Sequence, residues 1–179
     1  MARRSSREDI LKAAEAVVIA KGASHLTLEA VAKKAGISKG GLIYSFPSKE
    51  ALLQAMVERM IAGWQVRHEA EMAHLPEGRT REIKARVMAA ASPPLGKKPI
   101  AAAILAAVAH DPKLVIPIRD ERKRMLARMT ASGVNTERAA VIVLAAEGLL
   151  LLELLGSSPY EGEMRGRILS ELLRMADLC

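Results

Sequence analysis

Few residues of this chain combine a reactive type with a telling spacing, and the first to weigh is Ser38. It stands in Gly36-Ile37-Ser38-Lys39-Gly40, the G-x-S-x-G pattern that presents a nucleophilic serine on a sharp turn between a strand and a helix. That elbow needs a strand ahead of it, whereas Leu28, Val31, Ala32 and Ala35 recur at helical spacing. Ser38 therefore reads as a helix N-cap, with a serine hydrolase as the distant alternative. His25, His68, His74 and His110 lack metal-ligand spacing, and the single cysteine, Cys179, is the last residue. Neither a metal site nor an intrachain disulfide is expected. With no glycine-rich phosphate loop, no cofactor is expected either, and the chain does not read as an enzyme.

A different chemistry gathers in the stretch from Thr27 to Lys49. Thr27, Ser38, Lys39, Tyr44, Ser48 and Lys49 are hydroxyl, phenol and ammonium donors suited to phosphate oxygens. Gly40 and Gly41 lie near the start of a short helix, where each glycine costs about 1 kcal/mol of helix propensity. Such a cost makes sense where a bulky surface must come close, and a phosphate backbone is one. The formal net charge of +7 suits an anionic partner, although charge alone does not separate nucleic acid from an acidic membrane surface.

The elements that position these residues are all helical. Half of the 179 residues are hydrophobic and only 2% are aromatic, so the core is Ala, Leu, Ile, Val and Met, a mixture that favours helix over strand. Helix one is expected to open at the capping box Ser6-Arg7-Glu8-Asp9 and to bury Ile10, Leu11, Ala14, Val17 and Val18 before a left-handed stop at Gly22. Thr27 caps a second helix that ends at Gly36, and Ser38 caps a third that runs to Tyr44. After Pro47, Ser48 caps a long fourth helix to about His74. Further helices are expected over 80–91, 100–109, 111–132, 136–155 and 161–178. Of these, 100–109 is read as central and 111–132 as irregular at Pro117. The break at 92–99 carries three prolines.

The N-terminus has no apolar stretch of a secretory signal. The most apolar run, Ala139 to Leu155, contains Glu147 and Glu153 and is short for a bilayer. A soluble protein in a reducing cytoplasm, without membrane partners, is the expectation. The helix over 136–155 is apolar all round, so one face should meet a second copy. Val141, Leu144, Gly148, Leu152 and Leu155, with Leu169 and Leu172 of the last helix, are the candidate dimer interface.

Met60, Trp64, Met88, Leu105, Met125 and Met129 are read either as ordinary core or as the lining of a pocket for an apolar small molecule. Glu147 would pair with an arginine across the dimer or attract a cationic ligand, pairing being favoured. The run Arg119, Arg122, Lys123, Arg124 and Arg128, interleaved with Asp120 and Glu121, reads as a solvated helix face. Arg3, Arg4 and Arg7 are either an arm that reaches DNA or a plain tail.

The pieces ILKAAEAVVIAKG, TLEAVAKKAGISKGGL and FPSKEALL resemble the DNA-binding region of the tetracycline-repressor (TetR) family of bacterial transcriptional regulators. In this chain Gly41 and Ile43 stand where the family usually carries Thr and Tyr, with Tyr44 one place later. The resemblance covers roughly the first quarter of the chain in its motifs and the remainder only in helical pattern. It implies an all-α protein with a three-helix helix-turn-helix DNA-binding domain over 1–47, followed by a larger helical domain over 48–179 that binds an effector and dimerises. The implied partners are a double-stranded DNA operator, a small-molecule effector and a second copy. The implied function is that of a ligand-responsive regulator, a repressor released from a palindromic operator. The alternative is a DNA-binding dimer without an effector.

Overall fold

The structure is a computed structural model that describes residues 7–92 and 98–179, apart from the side chains of Lys98 and His110. The expected cap at Ser6, Arg3 and Arg4 lie outside the described residues, as do 93–97 of the expected break. Among the described residues the chain is helical with no strand. In order, the helices are α1 Arg7–Lys21, α2 Leu28–Ala35, α3 Lys39–Ser45, α4 Lys49–His74, α5 Arg81–Ala91, α6 Lys98–His110, α7 Val115–Ala131, α8 Thr136–Leu154 and α9 Gly162–Ala176. None is long and apolar enough to cross a membrane.

The first compact unit holds α1, α2, α3, α4 as far as Met60, and α6 with the chain to Ile118. Its core is the expected α1 stripe together with Val31 and Ala32 of α2, Leu42 of α3, Phe46, and Leu52 and Met56 of α4. Leu28 and Ala35 are only half-buried, because α2 is short and turns one narrow stripe inward. Arg59 of α4 ties to α1 by donating to Glu15 at 2.8 Å and to Glu8.

Three expectations in this unit are corrected. Gly22 has φ 85° and ψ 168°, a mirror-β conformation rather than a left-handed helical stop, and it leads into a 3-10 turn over Ala23–His25. Helix α6 is not central: Ile100, Ala103 and Ile104 are buried, but Leu105 is exposed. A helix built mostly of alanine needs only one such stripe to pack. Asp111 caps a 3-10 turn over Pro112–Leu114, its carboxylate accepting from the Lys113 N–H at 3.0 Å. Pro117 then falls in the first turn of α7, where a missing N–H breaks no helical bond.

The second unit takes α4 from Ile61, α5, α7 from Arg119, α8 and α9. Its core combines Ile83 and Val87 of α5, Met125 and Met129 of α7, Ile142, Val143 and Ala146 of α8, and Leu172 and Ala176 of α9. Polar ties reinforce this packing. Arg165 of α9 donates to Glu153 of α8 at 2.6 Å and to the Ala91 carbonyl at 2.6 Å. Lys84 pairs with Asp177.

Besides Glu153, three acids are drawn inward in this unit, and each finds cations. Glu147 is held by Arg86 at 2.6 Å and Arg122 at 2.6 Å. Its pairing is thus made within one chain, where the sequence suggested a partner across a dimer. Glu121 accepts from Gln65 at 2.8 Å and from Arg124 at 3.0 Å. Glu82 accepts from Arg128 Nε at 2.9 Å. His68 Nε2 lies 3.2 Å from Glu82 Oε1 without the alignment of a hydrogen bond. Arg122, Arg124 and Arg128 are therefore anchored, half-exposed cations rather than a freely solvated face.

Burial alone would raise the Glu82 carboxyl, but His68 and Arg128 outweigh it and hold its pKa at about 2, below the ordinary 4.5. A depressed carboxylate stabilises the fold above its unfolded pKa and ceases to as pH falls toward the folded one. Glu82→Gln should therefore cost about 3 kcal/mol above pH 5. Chemical denaturation across pH should show that deficit shrinking as pH falls from 4.5 toward 2; a deficit independent of pH would contradict the assignment.

Candidate nucleic-acid interface and interior cleft

The turn between α2 and α3 is made by its caps. Thr27, extended at φ −124° and ψ 155°, accepts from the Ala30 N–H on its Oγ1 at 3.1 Å. Helix α2 ends at Gly36, whose φ of 69° is left-handed and whose N–H returns to the carbonyls of Ala32 and Lys33. Ser38 then accepts from the Gly41 N–H at 3.1 Å, and Ser48 opens α4 by accepting from Ala51 N–H at 3.1 Å. In each case the hydroxyl oxygen serves as the acceptor. At Thr27 and Ser38 the O–H remains a donor for an outside oxygen, while the Ser48 hydroxyl also serves the Glu50 carboxylate.

Helix α3 is held from one side by Leu42 and Phe46, both fully buried. Arg7 stacks its guanidinium 4.5 Å from the centre of the Phe46 ring and reaches the Ser45 carbonyl at 3.5 Å. Arg7 thus packs on the fold and is not part of an arm. Lys39, Gly40, Gly41, Ile43 and Tyr44 are exposed, Tyr44 at 83%. Lys39 Nζ lies 2.5 Å from Glu29 Oε1, both exposed, which ties the start of α3 to α2. Lys49 is exposed at the start of α4.

The two glycines of α3 are not required by the fold. A methyl group at Gly40 would meet nothing nearer than Ser38 Oγ at 4.0 Å, and one at Gly41 would meet the same atom at 3.4 Å. Neither has a positive φ. Ser38 itself follows a helix, not a strand, so the elbow of a serine hydrolase is absent. Among the described residues no group of His, Cys, Asp and Glu could hold a metal ion.

The second unit encloses a cleft of about 590 Å³ whose walls include Gln65, His68, Met72, Arg86, Met125 and Arg128. Of the candidate pocket residues, Met125 alone lines it. Met129 lies in the core, and Trp64 and Met88 are half-buried away from the lining. Glu147 is occupied by its two arginines. Met60 and Leu105 belong to the first unit.

Sequence reasoning missed Glu82, Glu121 and His68 as wall residues. A signal for Glu121 was available: it shares the four-residue spacing of Met125 and Met129, so it belongs to the buried side of α7, where it is only 6% exposed.

Helix α8 keeps an outward apolar stripe, with Val141 57%, Leu144 67% and Leu155 60% exposed. Gly148 on that helix has open space where a side chain would stand, and Leu152 is half-buried. Leu172 is instead a core residue of its own unit and Leu169 packs against that core. The period of α9 turns both toward the core with Ala176.

Residues 10–56 match the family described as bacterial regulatory proteins, tetR family, and residues 79–177 match the tetracyclin repressor-like C-terminal domain. No curated protein matches the sequence. Among solved structures, the multidrug binding protein EbrR in complex with imidazole is similar at a TM-score of 0.68 and 24% identity, covering 96% of this chain and 93% of that one. EbrR has also been solved with malachite green and with ethidium. A putative TetR-family regulator from Rhodococcus sp. gives 0.70 at 18% identity, with 96% and 97% covered. One from Mesorhizobium loti gives 0.70 at 16%, with 99% and 96% covered. These structural likenesses show the fold, while the two sequence matches span both its helix-turn-helix and its C-terminal helices. The chain is a member of the TetR family of transcriptional regulators, DNA-binding proteins rather than enzymes.

Proposed function

We propose that this chain is a ligand-responsive repressor that binds a palindromic operator as a homodimer and leaves it when a small molecule occupies the cleft of the second unit. The observation that carries the reading is the exposed side of α3. Its two glycines cost helix stability without serving the fold, and the capping hydroxyls of Thr27 and Ser38, which accept from the backbone, keep an O–H to donate. A surface with that cost and that donor set suits a phosphate backbone at close range. Within this reading, Thr27, Ser38, Lys39, Gly40, Gly41, Tyr44, Ser48 and Lys49 face DNA. Residues 1–47, joined by Ser48 and Lys49 at the start of α4, carry the DNA contacts, and the remainder of 48–179 the effector and dimer functions, although α6 packs with the first unit. Work in the cytoplasm follows from such a role.

Helix α4 supports the coupling. Its start bears Ser48 and Lys49, and its later turns supply Gln65, His68 and Met72 to the cleft. The helix is continuous over 26 residues, about 39 Å at the usual rise. An effector must favour one of two states, typically by about 1 to 3 kcal/mol, to shift DNA affinity. The EbrR complexes with small organic molecules support such an effector by likeness of fold. The outward stripe of α8 supports the dimer.

Three outcomes are expected, once the operator has been found by selecting bound genomic fragments. Gly40→Ala and Gly41→Ala should each raise stability by up to about 1 kcal/mol in thermal unfolding while weakening operator binding. Unchanged binding in both would remove the close-approach argument. Lys49→Ala should weaken binding and lower the slope of log affinity against log salt by about one unit; an unchanged slope would rule out its phosphate contact. Gly148→Asp should yield monomers in sedimentation, and an intact dimer would refute the α8 interface.

A further inference from the structure

Around the cleft of the second unit, every acid drawn inward is claimed by a cation. Glu82 has Arg128, Glu121 has Arg124, and Glu147 has Arg86 and Arg122. Arg67, half-buried on α4, has no carboxylate among the described residues, and its Nε is buried without a hydrogen-bond partner. The same holds for Nε of Arg86 on α5, whose Nη2 is the nitrogen bonded to Glu147. His68, next to Arg67 and nine-tenths buried, has no aligned partner at either ring nitrogen. Arg86 and His68 both line the cleft.

Buried N–H groups without an acceptor oppose folding unless something supplies one. Burial, and then the charge of Arg86, push the Arg67 guanidinium below its ordinary pKa. The missing component is therefore an acceptor with negative charge. The cleft also has apolar walls, Met72, Ala73 and Met125.

We propose that the cleft takes an organic acid, its carboxylate seated against Arg86 and His68 and its apolar body against Met72, Ala73 and Met125. Arg67 lies outside the lining and adds the field of a charge unpaired among the described residues and felt at Arg86. This proposal rests on the ligand-responsive reading and names its effector class. A cationic ligand is the contrary case, since Glu69, Glu82 and Glu121 also line the cleft. Glu82 and Glu121 are already neutralised, however, and a cation would have to displace Arg128 to reach either. Glu69 is exposed, where water screens it.

The test is calorimetric titration of the full chain with three probes of one chain length: decanoate, decanamide and decyltrimethylammonium. Decanoate should bind at least about tenfold more tightly than either of the others, the increment of a charge-assisted hydrogen bond. Arg67→Gln breaks no ion pair, so it should fold normally and weaken decanoate about tenfold, with Arg67→Lys restoring most of the loss. Tighter binding of the ammonium, no binding of decanoate, or equal decanoate affinity in Arg67→Gln would overturn the proposal. Fluorescence anisotropy of a labelled operator with the same probes separates the two readings. Release by the ammonium alone would overturn the acid site and keep the regulator. Decanoate binding that depends on Arg67 without operator release would support the site and remove its regulatory role.

Discussion

A carboxylate taken out of water must meet positive charge, and in the second unit this requirement is imposed four times, at Glu82, Glu121, Glu147 and Glu153. Glu121 meets it within its own helix, through Arg124 and Arg128 of α7, but the others reach across helices. Glu147 of α8 draws in Arg86 of α5 and Arg122 of α7, while Glu82 of α5 draws in Arg128 of α7 and His68 of α4. The apolar cluster beneath supplies most of the packing energy, but an apolar face of Leu, Ile and Ala tolerates sliding. Charges that must be matched do not, because leaving one buried and unpaired costs several kcal/mol. The network thus selects one register of four helices and leaves a cleft with polar walls at their junction.

In the first unit the comparable constraint is the poverty of large side chains. The chain has one phenylalanine, and it is spent at Phe46, fully buried at the end of α3 with Arg7 over its ring. Together with Leu42 it anchors a helix of seven residues, far too short to hold itself together in water. Everything else on α3 is thereby released from packing. The donors and glycines facing outward are possible because two side chains facing inward suffice.

Much of this was legible in the residues because caps are local chemistry. Thr27, Gly36, Ser38, Ser48 and Asn135 act within three or four residues of themselves, so the bounds of α2, α3, α4 and α8 follow from neighbours alone. The donors of α3 were readable for the same reason. What was not legible depends on residues far apart in sequence. That Glu147 meets Arg86 and Arg122, or that Glu82 meets His68 and Arg128, cannot be read from spacing along one helix. The cleft was therefore sought among the methionines, and it lies instead among ionised groups of α4, α5 and α7. Pro117 shows the local rule failing in a small way: the proline is harmless because a 3-10 turn moves the start of α7 to within two residues of it.

The long helix α4 carries the chain's one tryptophan, Trp64, half-buried in the part of the helix that belongs to the second unit. Indole emission shifts in colour and intensity with the polarity around the ring. The next residue, Gln65, is a wall of the cleft and donates to Glu121. The protein thus contains a single built-in optical probe on the element that both units share. Its spectrum reads one site without labels and without the overlap that several tryptophans would bring.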